Sequence, residues 1–150
     1  MKVLFLNPPD MNKVLEYTVD EKSQEYIGMD NFGAFPPLGI LYVMAYLEKN
    51  APHHKLYFKD CVAERGSHKD LIDYVNEIKP DIVAVTSFTV SMIDVCMAAK
   101  NIRAIVPDAH ICLGGHHPIA FPFEAASLPE FDSIVVGEGE VVFTELVKAI

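Results

Sequence analysis

At 150 residues, with 51% hydrophobic and 22% charged side chains, the chain has the composition of one globular domain and not of a disordered segment. Its net charge of −9, from 12 basic and 21 acidic residues without a Lys/Arg cluster, argues against nucleic acid as a partner, because phosphate contacts need a basic footprint. The cysteines, Cys61, Cys96 and Cys112, are widely spaced and form no C-x-x-C, so a disulfide framework and a zinc site are both poor readings.

The opening Met1–Pro8 has too short an apolar run for a signal peptide, and no stretch approaches the roughly 18 apolar residues of a membrane span. A soluble, cytoplasmic, acidic domain is expected. Lys2–Asn7, closed by Pro8 and Pro9, reads as the first strand. Residues 10–35 interleave Tyr17, Tyr26, Phe32 and Phe35 with charges, and a connection this long is expected to be functional or to carry a small helix of its own. Pro36 and Pro37 suit a first helical turn. Leu38–Lys49 then forms a helix apolar on nearly every side, which predicts that it is largely buried.

Lys55–Lys59 is the second strand. Ser67 with Asp70 three residues on is a capping signal for a second helix, whose inner stripe is Leu71, Ile72, Val75 and Ile78 and which Pro80 stops. Asp81–Thr86 is a continuous apolar run of the kind that a parallel strand covered on both faces shows. The third helix spans about Ser91–Ile105, with Met92, Val95, Ala99 and Ile102 at helical spacing and Pro107 as its terminator. His110–Leu113 is the fourth strand, a short helix falls within Ala120–Leu128, and Ser133–Val136 is the fifth strand. A last helix starts at about Gly139 and carries apolar side chains at 142, 143, 146, 147 and 150. It stops without Gly, Asn or Pro, which reads as a cut from a longer protein; a natural C-terminal helix that frays is the alternative.

Five alternations of strand and helix predict an α/β fold: a three-layer, doubly wound, five-stranded parallel sheet with right-handed crossovers and the flavodoxin-like order 2-1-3-4-5. In such sheets ligands bind beyond the carboxyl ends of the strands, at the switch point between the first and third. Those ends carry Asn7-Pro8-Pro9, Thr86-Ser87-Phe88-Thr89, Gly114-Gly115-His116-His117 and Gly137-Glu138-Gly139-Glu140. Pro8 and Pro9 lack the N–H donors that a phosphate-first loop needs after the first strand, and neither G-x-G-x-x-G nor G-x-x-x-x-G-K-[ST] occurs. Flavin mononucleotide, NAD and ATP in their usual pose are therefore disfavoured. A phospho-receiver reading fails too, since Thr86 and Gly137 stand where the acceptor Asp and the Lys would be needed. What remains is a rim of small and hydroxyl residues that would leave a groove for a flat or elongated organic group with a nucleotide-like tail.

In this order and spacing, Asn7-Pro8-Pro9, Pro36-Pro37-Leu38-Gly39, Pro80-Asp81-Ile82-Val83 with Thr86-Ser87-Phe88-Thr89, Gly114-Gly115-His116-His117-Pro118 and Val136-Gly137-Glu138-Gly139-Glu140 carry a resemblance over nearly the whole chain. It resembles the N-terminal B12-binding domain of cobalamin-dependent radical S-adenosylmethionine enzymes, of the anaerobic magnesium-protoporphyrin monomethyl ester cyclase and radical methyltransferase type. The resemblance implies cobalamin as cofactor, with the corrin over the carboxyl edge and its dimethylbenzimidazole tail entering beside Ser87 and Gly114-Gly115. It implies contacts from Asn7, Pro8, Pro9, Thr86, Ser87, Phe88, Thr89, Gly114, Gly115, His116, Gly137, Glu138 and Gly139, and no catalytic residue in this chain. Methionine synthase and the mutases carry Asp-x-His-x-x-Gly after the first strand. Here Asp10-Met11-Asn12-Lys13-Val14-Leu15 keeps the Asp and lacks the His and Gly, which implies base-off cobalamin without a histidine from this loop on cobalt. The Cys-x-x-x-Cys-x-x-Cys motif of the radical domain is absent. A radical S-adenosylmethionine domain, with its [4Fe-4S] cluster, is thus expected in cis beyond Ile150.

Several features stay open at this point. His116 and His117 read as an ordinary polar loop or as donors to corrin amides or a phosphate, and poorly as metal ligands, since adjacent side chains seldom reach one ion. Glu138 and Glu140 suit the dipole of the last helix as well as they suit a ligand contact. The aromatics of 17–35 fit a cover for the corrin, a contact with the radical domain or a small local cap. The rival functions are a cofactor-free interaction domain of the same fold and a binder of another flat group, a flavin or a tetrapyrrole.

Overall fold

The computed structural model describes residues 1–11 and 35–150. Five parallel strands, β1 (Lys2–Asn7), β2 (Lys55–Asp60), β3 (Ile82–Ser87), β4 (His110–Gly115) and β5 (Ser133–Ile134), lie in the order β2-β1-β3-β4-β5, as the sequence predicts. Six α-helices connect and flank them among the described residues: α1 (Leu38–Asn50), α2 (His68–Ile78), α3 (Met92–Ile105), α4 (His116–Ala120), α5 (Pro122–Ser127) and α6 (Gly139–Ala149).

Alternation along each strand sorts side chains onto two faces. Val3 and Phe5 of β1, with Ile82, Ala84 and Cys112, pack under α1 and α6 through Ile40, Leu47, Phe143 and Val147. Leu4, Leu6, Val83, Val85, Ile111 and Leu113 pack on the other face against Leu71 and Val75 of α2, Val95 and Ile102 of α3, and Ala125 of α5. The three-layer, doubly wound architecture is therefore observed. Phe5 meets Phe143 edge-on with ring centroids 5.6 Å apart, which ties the central strand to α6.

Local signals act where the sequence places them. Ser67 accepts from the Asp70 amide while the Asp70 carboxylate accepts from the Ser67 amide, so α2 starts at a full capping box. Lys79, at φ 48°, takes the left-handed turn that ends α2 ahead of Pro80.

Some boundaries differ from expectation. β4 runs on through Gly114 and Gly115 because these pair in register with Thr86 and Ser87 of β3. β5 is only two residues long, since Gly137 turns the chain at φ 89° soon after it. The short helix expected within Ala120–Leu128 is α5, opened by Pro122, while a further short helix, α4, takes up His116–Ala120 ahead of it. A 3-10 turn at Thr89–Ser91 precedes α3. Helix α1 is not largely buried: only Ile40 and Leu47 are, while Leu38 and Tyr42 stand 61% and 64% exposed. Its all-round apolar character says nothing of how many neighbours the fold supplies, and among the described residues the sheet and α6 cover one side. Tyr17, Tyr26 and Phe32 lie outside the described residues; Phe35 is exposed.

Asp132 joins the start of β5 to α3 and β4. Its Oδ2 accepts from Arg103 Nη2 at 2.6 Å and from the Ile111 amide at 2.7 Å. Desolvation pushes its carboxyl up, but the Ile111 amide and the Arg103 guanidinium outweigh it and hold the group below the ordinary carboxylate range. A depressed folded-state pKa gives stability that is present above the unfolded value of about 3.9 and lost as pH falls through the folded value. Asp132→Asn should therefore lower unfolding free energy near neutral pH, with the gap to wild type closing as urea melts are repeated below about pH 4. A gap independent of pH would refute the ion-pair account.

Candidate functional site

The strand order sets β1, β3, β4 and β5 side by side, so the four loops singled out in the sequence meet at one carboxyl rim. On the α1/α6 face the side chains shrink toward that rim. In register, Ile82 and His110 are followed by Ala84 and Cys112, and then by Thr86 and Gly114. A Cβ added to Gly114 would come no nearer than 3.9 Å to another atom, and one on Gly39 or Gly137 would meet nothing within 4 Å. At Gly139, where α6 starts, α6 and α1 come close, and a Cβ would lie 3.0 Å from Val43 Cγ2. Among the described residues, a side chain's worth of space is therefore left beside Gly114, and both glycines of the Gly114-Gly115 pair lie at the expected end.

The predicted residues do not all present themselves alike. Asn7 turns sideways, donating from Nδ2 to Asp60 Oδ1 at 2.8 Å, and Pro8 and Pro9 are buried beneath the rim. Ser87 is 1% exposed and its hydroxyl donates to the Gly114 carbonyl at 2.8 Å, so that proton is already engaged. Thr86, Gly114, Gly115 and Gly139 are half-buried, whereas Phe88, Thr89, His116, Gly137 and Glu138 are exposed. Glu138 precedes α6 without a side-chain capping bond and Glu140 lies in its first turn, where the dipole favours a carboxylate. Phe88, Ile119, Phe121 and Val136 give the rim an apolar fringe.

Two groups, Asp94 and His68, escaped the sequence reading, as did the burial of His117. Asp94, fully buried in the first turn of α3, accepts from the Met11 amide at 2.8 Å and pairs with His68 Nε2 at 2.7 Å, which pins the exit of β1 to α2 and α3. His117 is 2% exposed, its Nδ1 sharing a hydrogen bond of 3.2 Å with Thr89 Oγ1 while Nε2 finds no partner among the described residues. An acidic residue at a helix start was a weak available signal for Asp94; the inward turn of His117 had none.

The thiols are chemically quiet. Burial pushes Cys61 up to about 12 and Cys112 up to about 11, and it raises Cys96 as well. No His/Cys/Asp/Glu group suited to a metal ion occurs among the described residues. Two shallow recesses lie away from the rim: one of ≈ 260 Å³ beside Lys100, Arg103 and Glu130, and one of ≈ 450 Å³ at the amino ends of β3 and β4. In the first, the cations are already paired, Lys100 with Glu130 and Arg103 with Asp132.

A doubly wound parallel sheet whose carboxyl rim carries glycines and small hydroxyl residues defines a Rossmann-like domain. The chain belongs to the B12 binding domain family, whose model matches residues 32–147. It is 36% identical over 123 residues to an anaerobic magnesium-protoporphyrin IX monomethyl ester cyclase of Cereibacter sphaeroides, covering 81% of this chain and 20% of that protein. It is 28% identical over 151 residues to an uncharacterized methyltransferase of Pyrococcus horikoshii, covering 100% of this chain and 29% of that one. The chain thus spans less than a third of the length of these curated relatives. A cobalamin-binding protein of Desulfitobacterium hafniense shares the fold, with a TM-score of 0.63 at 12% identity over 99% of this chain and 57% of its own.

Gly115, at φ 94°, is the tightest point: a Cβ there would sit 2.6 Å from both the backbone N and O of Ser87. Gly115→Ala should cost at least about 2 kcal/mol of stability in a urea melt. Gly137→Ala, with a similar φ of 89° but open surroundings, should cost only about 1 kcal/mol. Equal costs would show that the close approach to Ser87 is not rigid.

Proposed function

We infer that this chain binds cobalamin at the carboxyl rim, and that it is the cofactor-holding module of a radical S-adenosylmethionine methyltransferase or cyclase. The single observation that carries this reading is the taper of the α1/α6 face to Thr86 and Gly114 at an open rim, in a chain of the B12 binding domain family. The residues fit the group. A flat macrocycle matches the apolar fringe of Phe88, Ile119, Phe121 and Val136, and a narrow tail matches the small side chains beside Gly114.

When bound, cobalamin supplies alkyl-transfer and one-electron chemistry at cobalt that side chains do not. The chain's own residues hold and orient it. Thr86 and the backbone at Gly114 and Gly137 offer hydrogen-bonding groups at the rim, and the proline pair after β1 supplies no competing phosphate cradle. Position 12 of the Asp10-Met11-Asn12 stretch is Asn, so no imidazole is available there for cobalt; the cofactor is held base-off, without a histidine lower ligand from this loop. The [4Fe-4S] cluster and S-adenosylmethionine belong to a further domain in cis. The names and greater lengths of the relatives support that assignment.

The test is anaerobic incubation with hydroxocobalamin, desalting and a visible spectrum, with folding checked by circular dichroism. Corrin absorbance should stay with the protein, and the Co(II) form should show no nitrogen superhyperfine splitting in its electron paramagnetic resonance spectrum. Folded protein that keeps no corrin rejects the cofactor; clear nitrogen splitting rejects the base-off, histidine-free state alone.

A further inference from the structure

The amino end of the sheet, away from the rim, gathers nitrogen bases from two neighbouring strands. β1 and β2 start side by side there, Lys2 opposite Lys55, and the Lys55 amide donates to the Met1 carbonyl at 2.9 Å. That bond holds the Met1 α-amine beside the chain entering β2, with the amine nitrogen 3.5 Å from His54 Nδ1. His54 Nε2 is buried without a partner among the described residues, so Nδ1 is the nitrogen this ring turns toward the amine. Adjacent side chains in a strand point to opposite faces, but His53 and His54 lie in the turn ahead of β2, which the His54 amide closes on the Ala51 carbonyl. Their rings come together, with centroids 4.0 Å apart and planes tilted by 43°.

We propose that the Met1 amine, His54 Nδ1 and the His53 imidazole form a binding site for a divalent first-row transition ion of the Ni²⁺, Cu²⁺ and Zn²⁺ group. Two nitrogens on one such ion, each at 2.0–2.1 Å, lie about 2.9–3.4 Å apart, so the observed spacing needs only a small closing of the turn. Two imidazoles alone fall short of a three-ligand site, and the amine supplies the third donor. Nitrogen donors of this kind suit the later first-row ions, with Cu²⁺ the tightest bound. The Asp81 carboxylate accepts from the next amide along, that of Lys2, at 2.7 Å. It therefore places negative charge close to the ion and offsets the ammonium groups of Lys2 and Lys55. His53 is exposed, which leaves the ion a path in from solvent. The site stands apart from the cobalamin reading, since a strand of six residues puts it about 17 Å from the rim.

Titration of the full 150-residue chain with Cu²⁺ against a competing chelator, near neutral pH, tests the site in variants whose folding is confirmed by circular dichroism. One Cu²⁺ should bind per chain, with release of a proton from the amine. Its electron paramagnetic resonance spectrum should carry nitrogen superhyperfine lines, and its spin-echo modulation should show imidazole. His54→Gln, His53→Gln and a Gly-Ser extension ahead of Met1 should each weaken binding at least about tenfold, because losing a ligand costs no less than losing a group behind one. The imidazole modulation should vanish when both histidines are replaced and persist in the extended chain, a distinction that a merely structural effect would not make. Should a Gln variant unfold, acetylation of the Met1 amine gives the same test without a substitution. Wild-type affinity in His54→Gln or in the extended chain places the ion elsewhere and overturns the proposal. So does a folded chain that takes up no Cu²⁺. Retention of hydroxocobalamin should be equal in all these proteins, so failure here leaves the cofactor reading as it was.

Discussion

The close pairing of β3 with β4 all the way to the rim is the constraint on which the rest of the molecule depends. Six register pairs run from Ile82 opposite His110 to Ser87 opposite Gly115. The last of them exists only because residue 115 has no side chain, given the 2.6 Å that a Cβ would leave to the Ser87 backbone. With the strands held that close, the residues beyond them inherit the register. Phe88 then falls beside His116, and Thr89 beside His117. A bulkier residue at 115 would splay the loops, and the exposed aromatic surface would lose its order along with them.

The same pairing sets apart the two faces of the sheet. Toward α2 and α3, Val83, Val85, Ile111 and Leu113 keep full-sized side chains below a top row of Ser87 and Gly115, and Asp94 with His68 seals the exit of β1. A fully buried carboxylate is tolerable only when its oxygens are occupied, and here a backbone amide and an imidazole do so. That face is built for stability. On the opposite face the side chains are already small one row lower, at Ala84 and Cys112, below Thr86 and Gly114.

Much of this was legible in the sequence, and the reasons differ by element. Buried parallel strands write themselves as unbroken apolar runs, so Lys2–Asn7 and Ile82–Ser87 were readable to within a residue. Alternation and handedness narrowed the sheet to the doubly wound parallel class, of which the order 2-1-3-4-5 is one common member. Glycine pairs and Pro8-Pro9 marked the right rim because they report backbone needs, which are local. What local pattern could not carry was coverage and direction. Helix α1 looks buried by composition, yet Leu38 and Tyr42 face outward, since the number of neighbours is a property of the whole fold. Adjacent His116 and His117 look equivalent as letters, but the turn at Gly115 sends one out and one in. Asp94 reads as a surface acid at a helix start, and only the meeting of three elements shows it to be a buried anchor.

The taper on the α1/α6 face also explains how a site can lie so near the core without weakening it. Successive rows toward the rim pass from Val3 and Ile82, through Phe5 and Ala84, to Thr86 and Gly114. The lowest rows are sealed by Leu47 and Val147, and the middle one by the edge-on contact of Phe5 with Phe143. Side chains lost from the top row forfeit little burial, because that row borders solvent in any case. Among the described residues, the side chains of this face thus shrink only near its end, where a small residue replaces none that the packed interior needs.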